Sequence, residues 1–416
     1  MRKISNILKP FLSGSISCLL ILYVIIAFYY CKIPDKFYLT ACESFKINTF
    51  FNIEGENPCE PITVSALKTQ ARKEPPVITQ TRTLKLFGII PIKNVETEQI
   101  ERPLLIPGGM PFGIKMLTAG AVVTGFGNVD GVDRVYSPAK EGGILSGDVI
   151  RKVNGLEVSK NSDIIQALQV STTKTHIVLE RAGQVIRVNF KPEISKKDGL
   201  AKIGMWVRDS SAGIGTVTFY EPKAGKFGGL GHGVCDIDTG KLLPLHKGEA
   251  VSVSIGTVVK GMPGAPGELS GSFLSRVPIG TITSNTESGV FGTAHFPMSV
   301  EDSIPMAFKQ EVTVGKASIL TTVSGNTPKE FDIIIEKIDY NEQNKVKNMV
   351  IRVTDPALLS RTGGIVQGMS GSPIIQNGML AGSITHVFVN DAKRGYAIFA
   401  ENMFRTSTNE VYDLAA

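Results

Sequence analysis

The sequence predicts a mainly β protein, and three observations support that fold class. The 416 residues include 43 glycines and 22 prolines, a composition typical of short strands joined by turns. Hydrophobic residues make up 42% of the chain and charged residues 20%, which excludes a largely disordered protein. Short apolar runs punctuated by glycine recur from residue 194 to the C-terminus. At about 100–200 residues per domain, the length predicts two or three folded units.

The positive charge of the chain does not form a basic stripe. The formal net charge of +6 is spread along the sequence and includes lysines and arginines that flank the first apolar segment. A protein that follows phosphates needs its basic residues clustered on one surface. We therefore expect no nucleic acid among its partners.

The N-terminal region contains a predicted membrane anchor. Residues 11–31 form an uncharged apolar run, close to the ~20 residues that cross a bilayer. Because Arg2, Lys3 and Lys9 precede it, the positive-inside rule keeps residues 1–10 in the cytoplasm and exports the rest. A cleaved signal peptide is the alternative, although no A-x-A site follows the run.

Residues 32–103 are predicted to be a mobile stalk after the anchor. The prolines of Ala71–Pro76 resist helix formation, and one short strand is predicted at Leu84–Ile90. Exposed polar chain of this kind is where proteolytic cleavage concentrates. A disulfide between Cys42 and Cys59 is one option, but the three cysteines after the anchor are an odd number without CxxC spacing.

Residues 104–192 resemble a PDZ domain. The glycine-rich bend Ser137–Gly155 ends in an alternating strand and an Asn-Gly turn, and Asn161–Val170 has apolar residues at helical spacing. PDZ domains bind extended peptides by strand addition and hold a terminal carboxylate in a nest of backbone N–H groups.

The resemblance assigns the carboxylate loop of this module to Pro111, Phe112, Gly113 and Ile114. Its expected ligands are peptide segments or C-termini, held between this loop and the helix Asn161–Val170. The alternative is a module that only packs against its neighbour or recognises an internal segment.

The nucleophile candidate is Ser370, in the pattern Gly-x-Ser-Gly-x-Pro that begins at Gly368. A nucleophilic serine needs a tight turn whose backbone amides point at the developing oxyanion, and flanking glycines permit one. The pattern resembles the nucleophile turn of chymotrypsin-like proteases. That resemblance implies an oxyanion hole formed by the N–H groups of Gly368 and Ser370.

His232 is the candidate general base among the five histidines. It lies in a glycine-rich stretch and precedes the serine in the chain, as in chymotrypsin-like enzymes. His386, on an apolar strand, is interpreted as a core histidine, although a base there is geometrically allowed. Three others lie in less suitable contexts: His176, His246 and His295. Because His232 and Cys235 lack a second ligand pair, we expect no metal and no cofactor.

The strands after residue 193 are numerous enough for two packed six-stranded barrels. The predicted fold class is therefore mainly β, with an N-terminal transmembrane helix, a PDZ-like domain over 104–192 and a chymotrypsin-like double β-barrel over 193–416.

The anchor, the PDZ-like module and three motifs together resemble the stage IV sporulation protein B peptidases. The motifs are Gly-Leu-Gly-His232-Gly, the run from Thr362 to Ile374, and Thr385–Asp391. Met369 stands where trypsin-like enzymes carry an aspartate. The resemblance extends over nearly the whole chain.

This resemblance implies a sporulation-signalling serine endopeptidase, exported into the space between the forespore membranes. Such an enzyme cleaves itself near its N-terminus, within 32–103, and cuts a membrane-embedded regulator of an intramembrane metalloprotease. The implied catalytic residues are Ser370, His232 and Asp355. Asp355 precedes a proline and could instead be a turn residue. Other carboxylates could orient the histidine in its place: Asp236, Asp238 and Asp302.

Two other functions are compatible with these modules. A non-catalytic PDZ scaffold would not need the intact Ser370 turn. A quality-control protease usually carries its PDZ domain after the peptidase, whereas here the PDZ-like stretch precedes Ser370.

Overall fold

The computed structural model describes residues 17, 20–30, 32–40, 46–47, 51–53, 78–86, 89–170, 173–341 and 343–413. Helix α1 spans residues 20–30. No helix in these described ranges is long and apolar enough to cross a membrane. The rest of the predicted anchor, the stretch Ala71–Pro76 and the pair Cys42 and Cys59 lie outside the described residues.

The region predicted as a stalk contains a five-stranded sheet in the order β1-β5-β4-β3-β2. Its strands are β1 (Lys36–Leu39), β2 (Lys46–Ile47), β3 (Phe51–Ile53), β4 (Ile78–Leu86) and β5 (Ile90–Gln99). The prediction of one short strand was wrong because Phe37, Leu84 and Val95 bury one face of the sheet. Strand β1 pairs in parallel with β5, which is distant in the sequence. The local sequence pattern does not reveal such a pairing.

The first barrel is a closed ring of six strands in the order β7-β18-β19-β20-β17-β16. The β7–β16 pairing closes it, and β6 and β21 extend its edge. The strands are β6 (Leu104–Pro107), β7 (Pro111–Phe126), β16 (Met205–Glu221), β17 (Lys226–Gly229), β18 (Leu245–Val259), β19 (Glu268–Thr286), β20 (Gly289–Ala294) and β21 (Ile304–Pro305).

A second module, the one predicted to be PDZ-like, is inserted into this barrel between β7 and β16. Its elements are β8 (Val129–Asp130), β9 (Val135–Tyr136), α2 (Pro138–Glu141), β10 (Val149–Val153), β11 (Leu156–Glu157), α3 (Asn161–Gln169), β12 (Thr175–Arg181), β13 (Gln184–Phe190), β14 (Glu193–Ile194) and β15 (Ala201–Lys202). Ala121 and Val122 of β7 pair with β10, whereas the stretch Phe112–Thr118 pairs with β18 of the barrel. The predicted division into 104–192 and 193–416 therefore cuts through the barrel, because β7 serves both units.

The predicted carboxylate loop is a barrel strand. Phe112 is fully buried, and Gly113 pairs with Ile214 on one side and with Val251 on the other. With both backbone edges occupied, Pro111, Phe112, Gly113 and Ile114 cannot bind a peptide carboxylate.

The second barrel is a closed ring in the order β22-β23-β24-β27-β26-β25. Its strands are β22 (Gly315–Thr321), β23 (Lys329–Ile338), β24 (Met349–Val353), β25 (Pro373–Gln376), β26 (Met379–Phe388) and β27 (Asp391–Phe399). Helix α4 (Pro356–Thr362) lies between β24 and the turn that contains Ser370, and α5 (Ala400–Asp413) follows the last strand. Two short 3-10 helices lie at Val300–Asp302 and Lys309–Glu311. Two six-stranded barrels, as expected from the strand count, therefore form the main body.

Gly113→Val tests the barrel assignment of residue 113. A Cβ at Gly113 would lie 2.3 Å from the Phe273 ring and 2.7 Å from Val251, so the variant should lose about 1–3 kcal/mol of unfolding free energy. Urea unfolding, hydrolysis of a small ester and cleavage of a protein should all be impaired together. Gly125→Val, on the same strand with nothing within 4 Å of its Cβ, is the control. Loss of protein cleavage alone would contradict the barrel assignment.

Candidate active site

A cleft of about 520 Å³ lies between the two barrels. The first barrel lines it with Ile214, Leu230 and His232, and the second barrel lines it with Gly368, Ser370 and His386. The structure thus brings the predicted nucleophile, the predicted base and the predicted oxyanion glycine into one cavity. His232 precedes Gly368 and Ser370 by more than a hundred residues in the sequence, so only the docking of the barrels brings the three together.

The turn around Ser370 leaves two backbone N–H groups unused. Those of Met369, Gly371 and Ser372 donate to Val366, Ile384 and Met369 oxygens. Those of Gly368 and Ser370 have no acceptor among the described residues. The Met369 side chain is fully buried in the core of the second barrel, and this burial anchors the turn. Two free donors at positions i−2 and i of a serine turn can stabilise an oxyanion.

Strand β16 of the first barrel holds this turn in place. The Thr216 N–H donates to Ser370 O at 2.9 Å, and Thr216 Oγ1 donates to Gly368 O at 2.8 Å. A Cβ at Gly371 would lie 1.8 Å from Thr216 O, and Gly371 has a φ of +100°. Only glycine permits this approach, which explains the Ser-Gly dipeptide of the motif.

The Ser370 hydroxyl donates to the Thr385 carbonyl oxygen at 2.8 Å. Ser370 is half-buried and faces the cleft. In this arrangement the hydroxyl is hydrogen-bonded to the second barrel and not to His232. A rotation about χ1 redirects the proton, and staggered rotamers of an exposed hydroxyl are easily interchanged.

His232 follows the end of β17 and a sharp left-handed turn at Leu230 and Gly231, with φ of 67° and 68°. Its Nδ1–H donates to the Gly233 carbonyl oxygen at 2.9 Å. Because a carbonyl can only accept, this bond selects the neutral tautomer whose Nε2 is a free acceptor. Burial lowers the pKa of His232 below its ordinary value. The ring is therefore neutral and able to take a proton near neutral pH.

His386 lies in the cleft rather than in the core. Its ring centroid is 4.9 Å from that of His232 at an interplanar angle of 37°, and its side chain is exposed. Desolvation, followed by the proximity of His232 and Lys347, lowers the pKa of His386 to about 4. The core interpretation was wrong because His386 lies at the end of β26, where the alternation turns it into the cavity.

Asp355 does not line the cleft that contains His232. Its Oδ1 accepts the N–H groups of Ala357 at 2.8 Å and Leu358 at 2.9 Å, which makes it the N-cap of α4. The described residues include no hydrogen bond from Asp355 to His232. In this structure the Gly233 carbonyl orients the ring instead. Asp355 therefore matches the alternative interpretation, a turn residue before Pro356, and its specific role is to cap helix α4.

The other three carboxylates are also engaged elsewhere or distant from the ring. Asp236 and Asp238 both pair with Arg208, and Asp302 belongs to a 3-10 helix. Cys235, an exposed free thiol, contacts Gly233 O at 3.9 Å. The described residues contain no group of three or more His, Cys, Asp or Glu side chains placed to bind a metal.

A second groove, of about 570 Å³, lies in the inserted module. Helix α3 forms one wall with Ile164, Ile165 and Leu168, and Met205–Val207 at the start of β16 forms the other. A turn at Gly204 closes one end. Sequence reasoning found the helix wall but missed the strand wall, which follows the helix in the chain instead of preceding it.

The peptidase-family model described as SpoIVB peptidase S55 matches residues 199–404, and the PDZ domain model matches residues 131–181. The first match contains both Ser370 and His232. The second lies wholly within the insertion. No curated protein is significantly similar to this chain in sequence.

Solved structures are similar to separate parts of the chain. The PDZ domain of the SdrC-like protein from Listeria monocytogenes is 21% identical, covering 21% of this chain and 87% of its own, with a TM-score of 0.17. The active form of the Rv3671c protease from M. tuberculosis is 16% identical, covering 47% of this chain and 72% of its own, with a TM-score of 0.27. The two family matches, with the two barrels and the inserted module, give the identity: the chain is a serine peptidase with a PDZ domain, and its residues 199–404 match the SpoIVB peptidase S55 family.

Proposed function

We propose that Ser370 is the nucleophile and His232 the general base of an endopeptidase that forms an acyl-enzyme. The observation that carries this proposal is the convergence of Ser370, a neutral His232 with a free Nε2 and two unused N–H groups in one cleft. Nucleophile, base and oxyanion donors are the three parts that acyl transfer requires.

In the first step the Ser370 hydroxyl turns from Thr385 O towards His232. Its proton moves to Nε2 while Oγ bonds to the carbonyl carbon of the peptide, and the carbonyl oxygen becomes an oxyanion. The imidazolium then gives that proton to the leaving amine as the C–N bond breaks. Water repeats the sequence to release the acyl group and regenerate Ser370.

The N–H groups of Gly368 and Ser370 stabilise the oxyanion in this scheme. Loss of one such donor costs about 10²–10³ in rate. The Gly233 carbonyl supports the imidazolium that forms on His232, since its oxygen accepts the Nδ1–H. A neutral His386 beside the ring adds no repelling charge at neutral pH, given its lowered pKa.

We also propose that the protein is an exported, membrane-anchored enzyme that signals between forespore and mother cell during sporulation. The family name and the apolar N-terminal run support this. In α1 several large apolar side chains are more than half exposed to solvent: Leu20, Ile21, Tyr23, Val24, Phe28 and Tyr30. Such a surface favours contact with lipid. Self-cleavage within residues 32–103 would release the enzyme.

The proposed substrates are the chain itself and a membrane-embedded regulator of an intramembrane metalloprotease. The groove between α3 and β16 is the proposed site for peptide segments or C-termini, since its apolar walls flank an exposed strand edge. Strand addition of this kind is how PDZ domains bind peptides.

Ser370→Ala should abolish self-cleavage and partner cleavage, with a loss of about 10⁶-fold in kcat as expected for a removed nucleophile. The fold should lose no more than about 1 kcal/mol, the value of one hydrogen bond to Thr385 O. Gel analysis of processing and labelling by a fluorophosphonate are the measurements. Ser360→Ala, an exposed serine on α4, is the control and should process normally. Undiminished processing by Ser370→Ala would refute the assignment.

The pH dependence should report the lowered pKa of His232. Because burial disfavours the imidazolium, kcat/KM for a small ester should rise with pH through an apparent pKa below ~6.5 and stay level through neutrality. Circular dichroism over the same range checks that the fold persists. An apparent pKa above the ordinary histidine value would indicate a carboxylate partner, since an adjacent negative charge favours the protonated ring.

Asp355 variants separate capping from catalysis. Asp355→Ser supplies another good N-cap and should retain activity within about threefold, whereas Asp355→Ala should cost about 1 kcal/mol of stability. Activity on a small ester and urea unfolding are measured side by side. A loss near 10⁴-fold in the serine variant, the size seen when a triad aspartate is removed, would instead make Asp355 the orienting residue.

A further inference from the structure

Strand β16 runs through both grooves of the molecule. Its residues Met205–Val207 form a wall of the PDZ groove, and its residues Ser211–Ile214 line the catalytic cleft. The strand is continuous over 17 residues from Met205 to Glu221. The recognition groove and the catalytic cleft therefore lie along one piece of backbone.

One edge of β16 has no partner strand between the two grooves. Along Met205–Thr216 it pairs with β7 on one side, and β17 joins the other edge only from Val217 onwards. No other strand in the described part of the chain pairs with that edge. Ser210, Ala212 and Gly213 are exposed there. An unpaired edge of this kind is a template for an added strand.

The turn that precedes β16 is suited to a carboxylate. Gly204 has a φ of +67°, and a Cβ there would lie 2.3 Å from Gly127 O. The carbonyl groups of Ile203 and Gly204 accept from Ala139 and Gly127, but their own N–H groups have no acceptor among the described residues. Lys197 lines the same groove. Adjacent unused amides favour an anion, and so does a lysine in the lining of the same groove.

We propose that one substrate polypeptide occupies both grooves, with its C-terminal carboxylate at the Gly204 turn and its preceding residues added as a strand along β16. The bond that Ser370 attacks is then set by distance from the C-terminus. This proposal rests on the catalytic role of Ser370 proposed above, and it adds the substrate class: proteins whose flexible C-terminal tail ends in an apolar residue.

The geometry gives the direction and the length of this substrate. Because the Gly204 turn lies at the N-terminal end of β16, a chain with its carboxylate there runs antiparallel to the strand. Antiparallel neighbours pair one residue with one. The Thr216 N–H to Ser370 O bond marks the level of the nucleophile. From Met205 to that level the tail is about ten residues long, or ~33 Å at ~3.3 Å per residue.

The PDZ groove supplies the anchoring for the end of the tail. Ile164 and Leu168 are buried in its wall, whereas Ile165 and Leu200 leave about half of their surface open, 50% and 45% exposed. An apolar C-terminal side chain covers this exposed surface when it binds. Between the two grooves the tail pairs with the backbone of β16, which places little restriction on the sequence of that part of the tail.

A peptide library tests the distance rule. Peptides with randomised residues and a fixed apolar C-terminal residue are incubated with the wild-type enzyme, and the cut bonds are mapped by mass spectrometry. The cuts should concentrate about ten residues from the C-terminus. In a second library extended by three C-terminal residues they should move by the same three residues. C-terminal amides should be cut about tenfold more slowly, because the amide carries no charge for the turn.

Ile165→Asp tests the groove, with Leu145→Asp as a matched control. Both side chains lie on the inserted module and are similarly exposed, 50% and 52%, but Leu145 lies outside the groove. Ile165→Asp should lower kcat/KM for the acid library about tenfold or more. Leu145→Asp should leave it unchanged. Rates are normalised to the active sites titrated by a fluorophosphonate.

The outcomes separate this proposal from the one on which it rests. Cuts at a constant distance from the C-terminus that depend on the free carboxylate support the inference. Cuts that are scattered, or equal rates for acids and amides, with Ser370 still labelled by the fluorophosphonate, would overturn the distance rule alone. Absence of both labelling and cleavage in the wild type would overturn the proposed function itself.

Discussion

The contact between Thr216 of β16 and the turn at Gly368–Gly371 is the constraint on which the active site depends. Thr216 donates its N–H to Ser370 O and its hydroxyl to Gly368 O, and Gly371 approaches the Thr216 carbonyl oxygen more closely than any side chain would allow. Thr218 adds a bond to Gly371 O at 2.8 Å. With three carbonyl oxygens of the turn bonded to the first barrel, the N–H groups of Gly368 and Ser370 remain without an acceptor among the described residues. The same hydrogen bonds therefore join the two barrels and shape the candidate oxyanion site.

The insertion of the PDZ domain within the first barrel connects the PDZ groove directly with the cleft that contains Ser370. A domain attached by a linker moves independently of its neighbour. Here β7 and β16 both leave the barrel and enter the inserted module as paired strands. The PDZ groove wall at Met205–Val207 and Thr216 beside the Ser370 turn therefore belong to one continuous strand, which ends at Glu221. The same continuity aligns the two grooves on one edge.

The catalytic centre differs from the usual chymotrypsin-like arrangement in what surrounds the histidine. A carbonyl oxygen, that of Gly233, holds Nδ1, and a second imidazole, that of His386, lies against the ring. A carbonyl supports the imidazolium less strongly than a carboxylate because it carries only a partial charge. Burial lowers the pKa of His232, and the hydrogen bond to the Gly233 carbonyl opposes this effect only in part.

The sequence alone predicted the mainly β class and the two barrels. It also gave the candidates Ser370, Gly368 and His232, which line one cleft, because glycine spacing around a nucleophile is a local requirement of the turn. It also located helix α3. It did not reveal that β7 belongs to two domains, that Gly113 is barrel core, or that the peptide groove uses the strand after the helix, because strand pairing joins residues far apart in the chain. For the same reason the sequence did not reveal that His386 lines the cleft and that Asp355 does not. Which polar side chain faces a cleft depends on how two barrels dock, and only the tertiary structure decides that.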